Sequence, residues 1–209
     1  LARERDTAYR MLAHDYGVDL KSIDWRQAGV RQAGRVEKVV LNKEHQFNIT
    51  PMPEHTLAGM LESGEIDAAI SARELPAARL FPDYRELEMA YFRKTRIFPI
   101  MHTVVLRRET YERDRWIAKN LYQAFVEAKE RSLERLREIG VSHAPLPWLA
   151  DTTRDWSAAM GADFWPYGIE PNRPTLEAFL QYAWEQGVCH RRLAPEELFA
   201  PETLQAFKI

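Results

Sequence analysis

The chain has 209 residues, 45% of them hydrophobic and 29% charged, with 29 Lys and Arg against 31 Asp and Glu. This composition excludes a disordered chain, and the absence of any run near the ~20 apolar residues of a spanning helix predicts no membrane insertion. The net charge of -2 excludes the strongly basic surface of a general nucleic-acid binder. A single cysteine, Cys189, excludes an intramolecular disulfide.

The first half of the chain is predicted to alternate helices and short strands. Apolar spacing and glycine stops predict, in chain order, a helix at 3–16, strands at 22–28 and 36–41, a loop at Pro51 and Pro53, a helix at 56–63 and a buried strand at 66–71. A helix, a glycine and a short apolar strand in repeated order is typical of an α/β fold. The chain begins at Leu1 with no apolar signal-peptide core, and we expect its natural start to lie upstream.

The second half opens on the most strand-like run, Phe98–Leu106, whose continuous apolar character predicts a strand buried on both faces. A long helix is predicted over Arg107–Glu138, with its charged residues on a solvated face. Its predicted apolar stripe consists of Ile117, Leu121, Ala124, Phe125 and Ala128. Further predictions are a proline-punctuated region of loops and short helices, a helix at 175–186 and two short helical pieces at 195–199 and 201–207.

Common signatures of chemistry are absent from the sequence. There is no glycine-rich nucleotide loop, no Walker loop and no nucleophile elbow. The six histidines lack metal-ligand spacing, so we predict no metal site unless distant segments assemble one.

Two single residues are candidates for a site because of where they fall on predicted strands. An imidazole within the apolar run must find a polar partner, so His102 is either a satisfied core histidine or a group that faces a cleft. Arg73 directly follows the predicted strand at 66–71, where α/β folds gather their ligands and where a guanidinium can grip a carboxylate. The alternative for Arg73 is an ordinary surface arginine or an ion pair with Glu74.

The segment Asp163–Arg173 combines prolines, aromatic rings, a glycine and an Asn-Arg pair in eleven residues. Such a rigid loop suits an aromatic or carboxylate ligand. The alternative is a hydrophobic plug, with Asn172 capping a helix that begins near Pro174. A basic cluster at 93–96 is expected to be a solvated turn unless a cleft opens there.

Several stretches together resemble the 4,5-dihydroxyphthalate decarboxylase family. The residues that carry the resemblance are Phe81–Tyr84, Ala90–Arg93, Ile97–Val105, Trp165–Gly168, Asn172–Arg173, Tyr182 and Glu185–Gly187, with Tyr16–Val18, Ile23–Trp25 and Gly64–Arg73 as further matching stretches. The resemblance covers essentially the whole chain, and its Phe-Pro-Ile-Met-His-Thr run and Trp-Pro-Tyr-Gly loop are its most specific parts.

That family is similar to the type II periplasmic binding proteins, which include thiamine-precursor and NMT1-like solute receptors. The resemblance implies two α/β lobes with mixed sheets, with residues 1–97 as the middle lobe and 98–209 as the segment that completes the other lobe. It also implies that the N-terminal part of one lobe is missing from this sequence.

The resemblance implies a non-oxidative decarboxylase of an aromatic dicarboxylate such as 4,5-dihydroxyphthalate. In that scheme His102 is the acid or base, and Arg73, Arg173 and Arg96 bind carboxylates. Trp165 and Tyr167 border the ring, and Asn172 belongs to the same binding loop. No organic cofactor is required because the phenol is the electron sink, although a divalent metal on the catechol oxygens is an alternative. We expect a cytoplasmic enzyme that forms a homo-oligomer.

The alternative from a different class is the solute-binding protein of an ABC importer for a small carboxylate. It implies a periplasmic location and an ABC permease as partner. An arginine-lined cleft would serve binding and decarboxylation equally well, so the fold by itself does not separate the two.

Overall fold

The computed structural model describes residues 12–35, 49–71, 73–141 and 143–204. The chain divides into two compact units, of which the first comprises Leu1–Glu88 with Glu177–Leu193 and the second Met89–Leu176 with Ala194–Ile209. Helices and a two-stranded parallel sheet form the described part, which confirms the coarse α/β class. The predicted strand at 36–41 and parts of the predicted helices at 3–16 and 201–207 lie outside the described residues.

The first unit begins with a helix, α1, described over residues 12–16. Gly17 ends it in the left-handed region at φ 65°, where its N–H donates to the carbonyl of Ala13. Strand β1, Trp25–Gly29, starts three residues after the predicted start at Ser22, because Leu20–Ser22 form a 3-10 turn capped by Asp19.

Strand β2, Ile49–Thr56, contains the two prolines that were predicted to mark a loop. This prediction was wrong because β2 pairs with β1 alone among the described strands. Proline lacks an N–H, and a residue on a strand edge without a partner does not need one. Pro51 lies opposite Gln27 in the parallel register. The register then becomes irregular before Thr56, and the carbonyl of Pro53 accepts a hydrogen bond from Gly34 at 2.8 Å.

Helix α2, Leu57–Glu62, confirms the predicted short helix. Thr56 caps it, since its side-chain oxygen accepts the N–H of Gly59 at 3.1 Å. The following strand predicted at 66–71 is wrong. After Gly64, at φ 72°, the N–H of Ile66 turns back to the carbonyl of Met60, and the residues beyond it form irregular, partly exposed backbone.

Helix α3, Tyr84–Thr95, was not predicted from the sequence. Its C-terminus holds the basic cluster, where cations complement the partial negative charge of the last carbonyls. Arg96 adopts the left-handed region at φ 59°, and the side chain of Thr95 accepts the N–H of Ile97 at 3.1 Å. The cluster is therefore a helix end and not a simple turn.

The run Phe98–Leu106, predicted as a buried central strand, is an irregular segment that is exposed along most of its length. Val104 is 65% and Val105 is 82% exposed. A continuously apolar strand needs pairing partners and covered faces, and the only strands in the described part of the chain pair with each other. The N–H of Phe98 instead donates to the side-chain oxygen of Thr175 at 3.0 Å.

The predicted long helix at 107–138 is divided at Asp114 into α4, Arg108–Arg113, and α5, Trp116–Arg137. Its charged face is solvated as predicted, but its apolar stripe is not the predicted one. Ala118 and Leu133 are buried on α5, whereas Ala124, Phe125 and Ala128 of the predicted stripe are exposed. The face that packs toward the following helix is thus shifted around the helix axis.

The second unit continues with α6, Leu149–Met160, and with the first part of α7, Ile169–Glu185. Helix α7 begins six residues before the predicted start at Thr175, and Gly187 follows its end at φ 72°. Two 3-10 turns, Pro195–Glu197 and Pro201–Thr203, confirm the proline-opened pieces. Among the helices that the structure describes, none is both long and apolar enough to cross a membrane.

A Gly29→Ala substitution should destabilise the first unit by about 2 kcal/mol, because a Cβ at this position would lie 1.8 Å from the carbonyl oxygen of Gln32. Gly140 is the matched control, since a Cβ there meets nothing within 4 Å and φ is not positive. Urea unfolding of both variants measures the difference. Equal stability of Gly29→Ala and wild type would contradict the tight turn after β1.

Candidate functional site

The aromatic loop, residues 163–168 between α6 and α7, begins at an ion pair with α5. Nζ of Lys129 lies 2.6 Å from Oδ2 of Asp163. The Lys129 side chain is only 8% exposed, and its ammonium lies 5.1 Å from the centre of the Tyr167 ring. The same lysine therefore contacts the first residue of the loop and one of its aromatic rings.

Asn172 holds the other end of the aromatic loop. Its side-chain amide nitrogen donates to the carbonyl of Pro166 at 2.8 Å and to that of Gly168 at 2.9 Å. Asn172 lies inside α7, so it does not cap a helix beginning near Pro174 as the sequence suggested. Its amide fixes the turn that leads into the helix.

Gly168 allows the loop to pass close to α5. Its φ of 95° disfavours any residue with a side chain, and a Cβ would lie 3.0 Å from Oη of Tyr122. Burial raises the pKa of Tyr122, and the nearby carboxylate of Asp163 raises it further. The Tyr122 hydroxyl therefore stays protonated beside the loop.

The two candidate rings of the loop, Trp165 and Tyr167, differ in exposure. Trp165 is 48% exposed and makes an edge contact with Phe98, at 5.6 Å between ring centres. Tyr167 is half-buried beneath Lys129. The loop thus presents an aromatic face at Trp165, while its backbone is fixed from α5 and α7.

Arg173 projects from α7 next to this loop and is engaged by two carboxylates. One terminal nitrogen lies 2.5 Å from both Glu170 and Glu196. Hydrogen bonding to Arg173 lowers the pKa of each carboxyl group and raises that of the guanidinium. Arg173, which was predicted to bind a substrate carboxylate, therefore already binds two carboxylates of the protein itself.

Arg96 and His102 belong to the same unit as the loop. They lie on either side of Phe98, whose ring contacts Trp165. Arg96 is exposed, with its guanidinium 5.0 Å from the centre of the Phe92 ring. His102 is exposed and makes no hydrogen bond within the part of the chain that the structure describes. It is therefore not the satisfied core histidine that the sequence offered as an alternative.

Arg73 belongs to the first unit, whereas the other candidates belong to the second. It is exposed, and its guanidinium forms no ion pair among the described residues. The nearby Glu74 carboxylate faces Arg79 instead, at 3.8 Å. The structure thus places Asn172 in contact with the backbone of the loop that carries Trp165 and Tyr167. The placement of Arg73, Arg96, His102 and Arg173 in a shared site with that loop stays a prediction.

Two residues outside the predictions hold the loop, Lys129 and Tyr122. The sequence carried a signal for them, because Ala118, Tyr122, Lys129 and Leu133 recur at helical spacing on one face of α5. A lysine inside an apolar stripe is a marked exception to that pattern. The same face borders a shallow depression of about 250 Å³, which includes Lys129, Leu133 and Asp163.

Two further features concern metal ligands and the single cysteine. No three His, Cys, Asp or Glu side chains converge there to hold a metal ion. Burial raises the pKa of Cys189, which disfavours its thiolate form.

Comparison with known proteins relates the chain to two curated enzymes. A 4,5-dihydroxyphthalate decarboxylase of Comamonas testosteroni is 33% identical over 207 residues, which cover 95% of this chain and 63% of that protein. A second 4,5-dihydroxyphthalate decarboxylase, from Pseudomonas putida, is 40% identical over 63 residues, or 30% of this chain and 24% of that protein. The chain therefore spans less than two thirds of the length of the relatives it matches. No protein-family model matches it.

A Gly168→Ala substitution should cost about 1–3 kcal/mol of folding stability, through its positive φ and its contact with Tyr122. Removing the hydroxyl with Tyr122→Phe should recover about 1 kcal/mol of that loss, because it opens space for the new Cβ. Gly161→Ala, also at positive φ but with nothing within 4 Å, should cost the same in both backgrounds. Urea unfolding gives the four differences, and additive losses at Gly168 and Tyr122 would contradict the close approach.

The Arg173 cluster should make folding stability dependent on pH in the acid range. Its two carboxyls have pKa values below their ordinary 4.5 in the folded state. The stabilisation is therefore fully present above about pH 4.5 and is lost as the pH falls through the lowered values. Urea unfolding between pH 7 and pH 3 should show a smaller loss for Arg173→Met than for wild type. Equal losses in the two proteins would contradict the ion pairs.

Proposed function

We propose that the chain is a member of the 4,5-dihydroxyphthalate decarboxylase family and that it acts in the non-oxidative decarboxylation of an aromatic dicarboxylate such as 4,5-dihydroxyphthalate. The observation that carries the proposal is similarity to such an enzyme along 95% of the chain, through both compact units. Because the chain spans only part of the relatives' length, the activity is assigned to the complete protein.

The reaction defines what the site must supply. Cleavage of the bond between an aryl carbon and its carboxylate releases CO2 and leaves the electron pair on the ring, where a proton must replace the lost group. A phenolate para to the carboxylate pushes electron density onto that ring carbon, which favours its protonation. The protein must therefore provide an acid for the ring carbon, an acceptor for the phenol proton and cations for the carboxylates.

We assign the proton transfer to His102, because an imidazole can both donate and accept a proton. Its exposure and its freedom from hydrogen bonds with described residues support this role, because a substrate can reach it. Arg73 and Arg96 are assigned to the carboxylates, since both guanidinium groups are exposed.

The aromatic loop is assigned to the substrate ring. The half-exposed Trp165 offers a face for stacking, and Tyr167 lies beneath Lys129 in the same loop. Asn172 shapes the loop through its amide. A substrate carboxylate would bind Arg173 by replacing Glu170 or Glu196. The guanidinium would then keep the same number of carboxylate partners.

The solute-receptor alternative has no specific support, because both curated relatives are enzymes.

The finer fold proposal is a type II periplasmic-binding-like arrangement with lobes divided near residue 97. Its support is that one boundary between the compact units, at Glu88 and Met89, lies near that residue, although Glu177–Leu193 falls in the first unit and not with the returning segment. A cytoplasmic location and a homo-oligomer stay predictions.

The complete protein should convert 4,5-dihydroxyphthalate to 3,4-dihydroxybenzoate with release of CO2, and His102→Asn should lower kcat by about 100-fold. Substrate binding should persist in this variant, because the arginines supply most of the attraction for a dianion. His190→Asn, which alters another exposed histidine, is the control and should retain full turnover. Binding without CO2 from the wild-type protein would contradict the enzyme, and unchanged kcat in His102→Asn would remove this residue from the chemistry.

An Arg73→Ala substitution should act first on binding, since it removes a charge-assisted contact made in the ground state as well as in the transition state. We expect KM to rise by about tenfold or more. Arg79→Ala is the matched control, because Arg79 is exposed nearby and pairs with Glu74. Steady-state kinetics separate the outcomes, and an unchanged KM in Arg73→Ala would exclude Arg73 from carboxylate binding.

A further inference from the structure

Lys129 is unusual among the cations of the second unit because its side chain is almost fully buried. Only 8% of it is exposed, against 69% for Arg131 on the same helix. A buried ammonium is costly unless it is paired. Its partners are the carboxylate of Asp163 at 2.6 Å and the ring of Tyr167 at 5.1 Å, and both belong to the aromatic loop.

We propose that Lys129 is a positioning residue that sets the orientation of Tyr167 and Trp165 toward the substrate ring. The proposal rests on the proposed decarboxylase function and extends it to a residue two turns inside α5. Lys129 fixes the start of the loop through Asp163, and Asn172 fixes its end through two carbonyls.

Trp165 lies in the chain between these two anchors. Its ring is 48% exposed and meets only the edge of Phe98 among its aromatic neighbours in the described ranges. Few contacts of its own therefore hold the indole, and its direction follows from the backbone of the loop. A displacement of about 1 Å at a substrate-orienting group costs up to about 100-fold in rate.

The central test compares Lys129→Met, which keeps the length and removes the charge, with Lys129→Arg, which keeps the charge. In the complete protein, Lys129→Met should raise KM for 4,5-dihydroxyphthalate by about tenfold, with a smaller change in kcat. Lys129→Arg should keep KM close to the wild-type value, since a guanidinium can also pair with Asp163 and lie over Tyr167. Arg131→Met, which breaks the exposed pair with Glu127, is the control and should leave KM unchanged.

A second readout is independent of turnover. Acrylamide quenching of Trp165, obtained as the difference between each protein and its Trp165→Phe counterpart, should increase in Lys129→Met. Asp163→Asn should give a similar increase, and the double variant should show no further one, because both changes remove the same contact. If Lys129→Met does not fold, Asp163→Asn and Lys129→Arg still carry the test.

The outcomes separate the two proposals. Absence of CO2 release by the wild-type protein would contradict the proposed function, whereas the quenching series would still test the positioning role. A lower melting temperature of Lys129→Met or Asp163→Asn, with wild-type KM and wild-type quenching, would overturn the positioning role and leave a purely structural ion pair.

Discussion

The aromatic loop depends on the ion pair between Lys129 and Asp163, because this contact joins the loop to α5, the longest described helix of the second unit. A charge pair with one nearly buried member is sensitive to geometry, since the ammonium has lost most of its water. The loop it starts can then turn sharply at Gly168 and enter α7, where the Asn172 amide closes the turn. Both aromatic rings of the site take their orientation from this frame.

The electrostatics next to the loop serve a different purpose. Arg173 is satisfied by two glutamates, so its charge is held in place without an anion from outside. A dicarboxylate substrate can replace these partners without leaving the guanidinium unpaired. Arg73 and Arg96, by contrast, remain exposed, which suits cations that capture a ligand on arrival. We therefore propose that Arg73 and Arg96 capture the substrate and that Arg173 places it.

Local signals in the sequence predicted the features that depend on neighbouring residues. The short helix near residues 56–63 and the helix end at Gly17 follow from side-chain and backbone preferences within a single turn. The run Phe98–Leu106 could not be predicted in this way, because an apolar segment becomes a strand only when other strands pair with it. The composition of the aromatic loop indicated a site, but its anchor Lys129 was missed because the stripe of α5 was placed on an adjacent face.

The central claim is that the loop carrying Trp165 borders the ring of an aromatic dicarboxylate. Titration of the ¹⁵N-labelled complete protein with phthalate tests it directly, since this dicarboxylate lacks the hydroxyl groups that drive decarboxylation. The indole N–H resonance of Trp165, assigned with Trp165→Phe, should shift saturably. The resonance of Trp148, which precedes α6 and so lies at the end of that helix away from the aromatic loop, should not shift. A saturable shift at other indoles with none at Trp165, or no shift at all, would contradict the account.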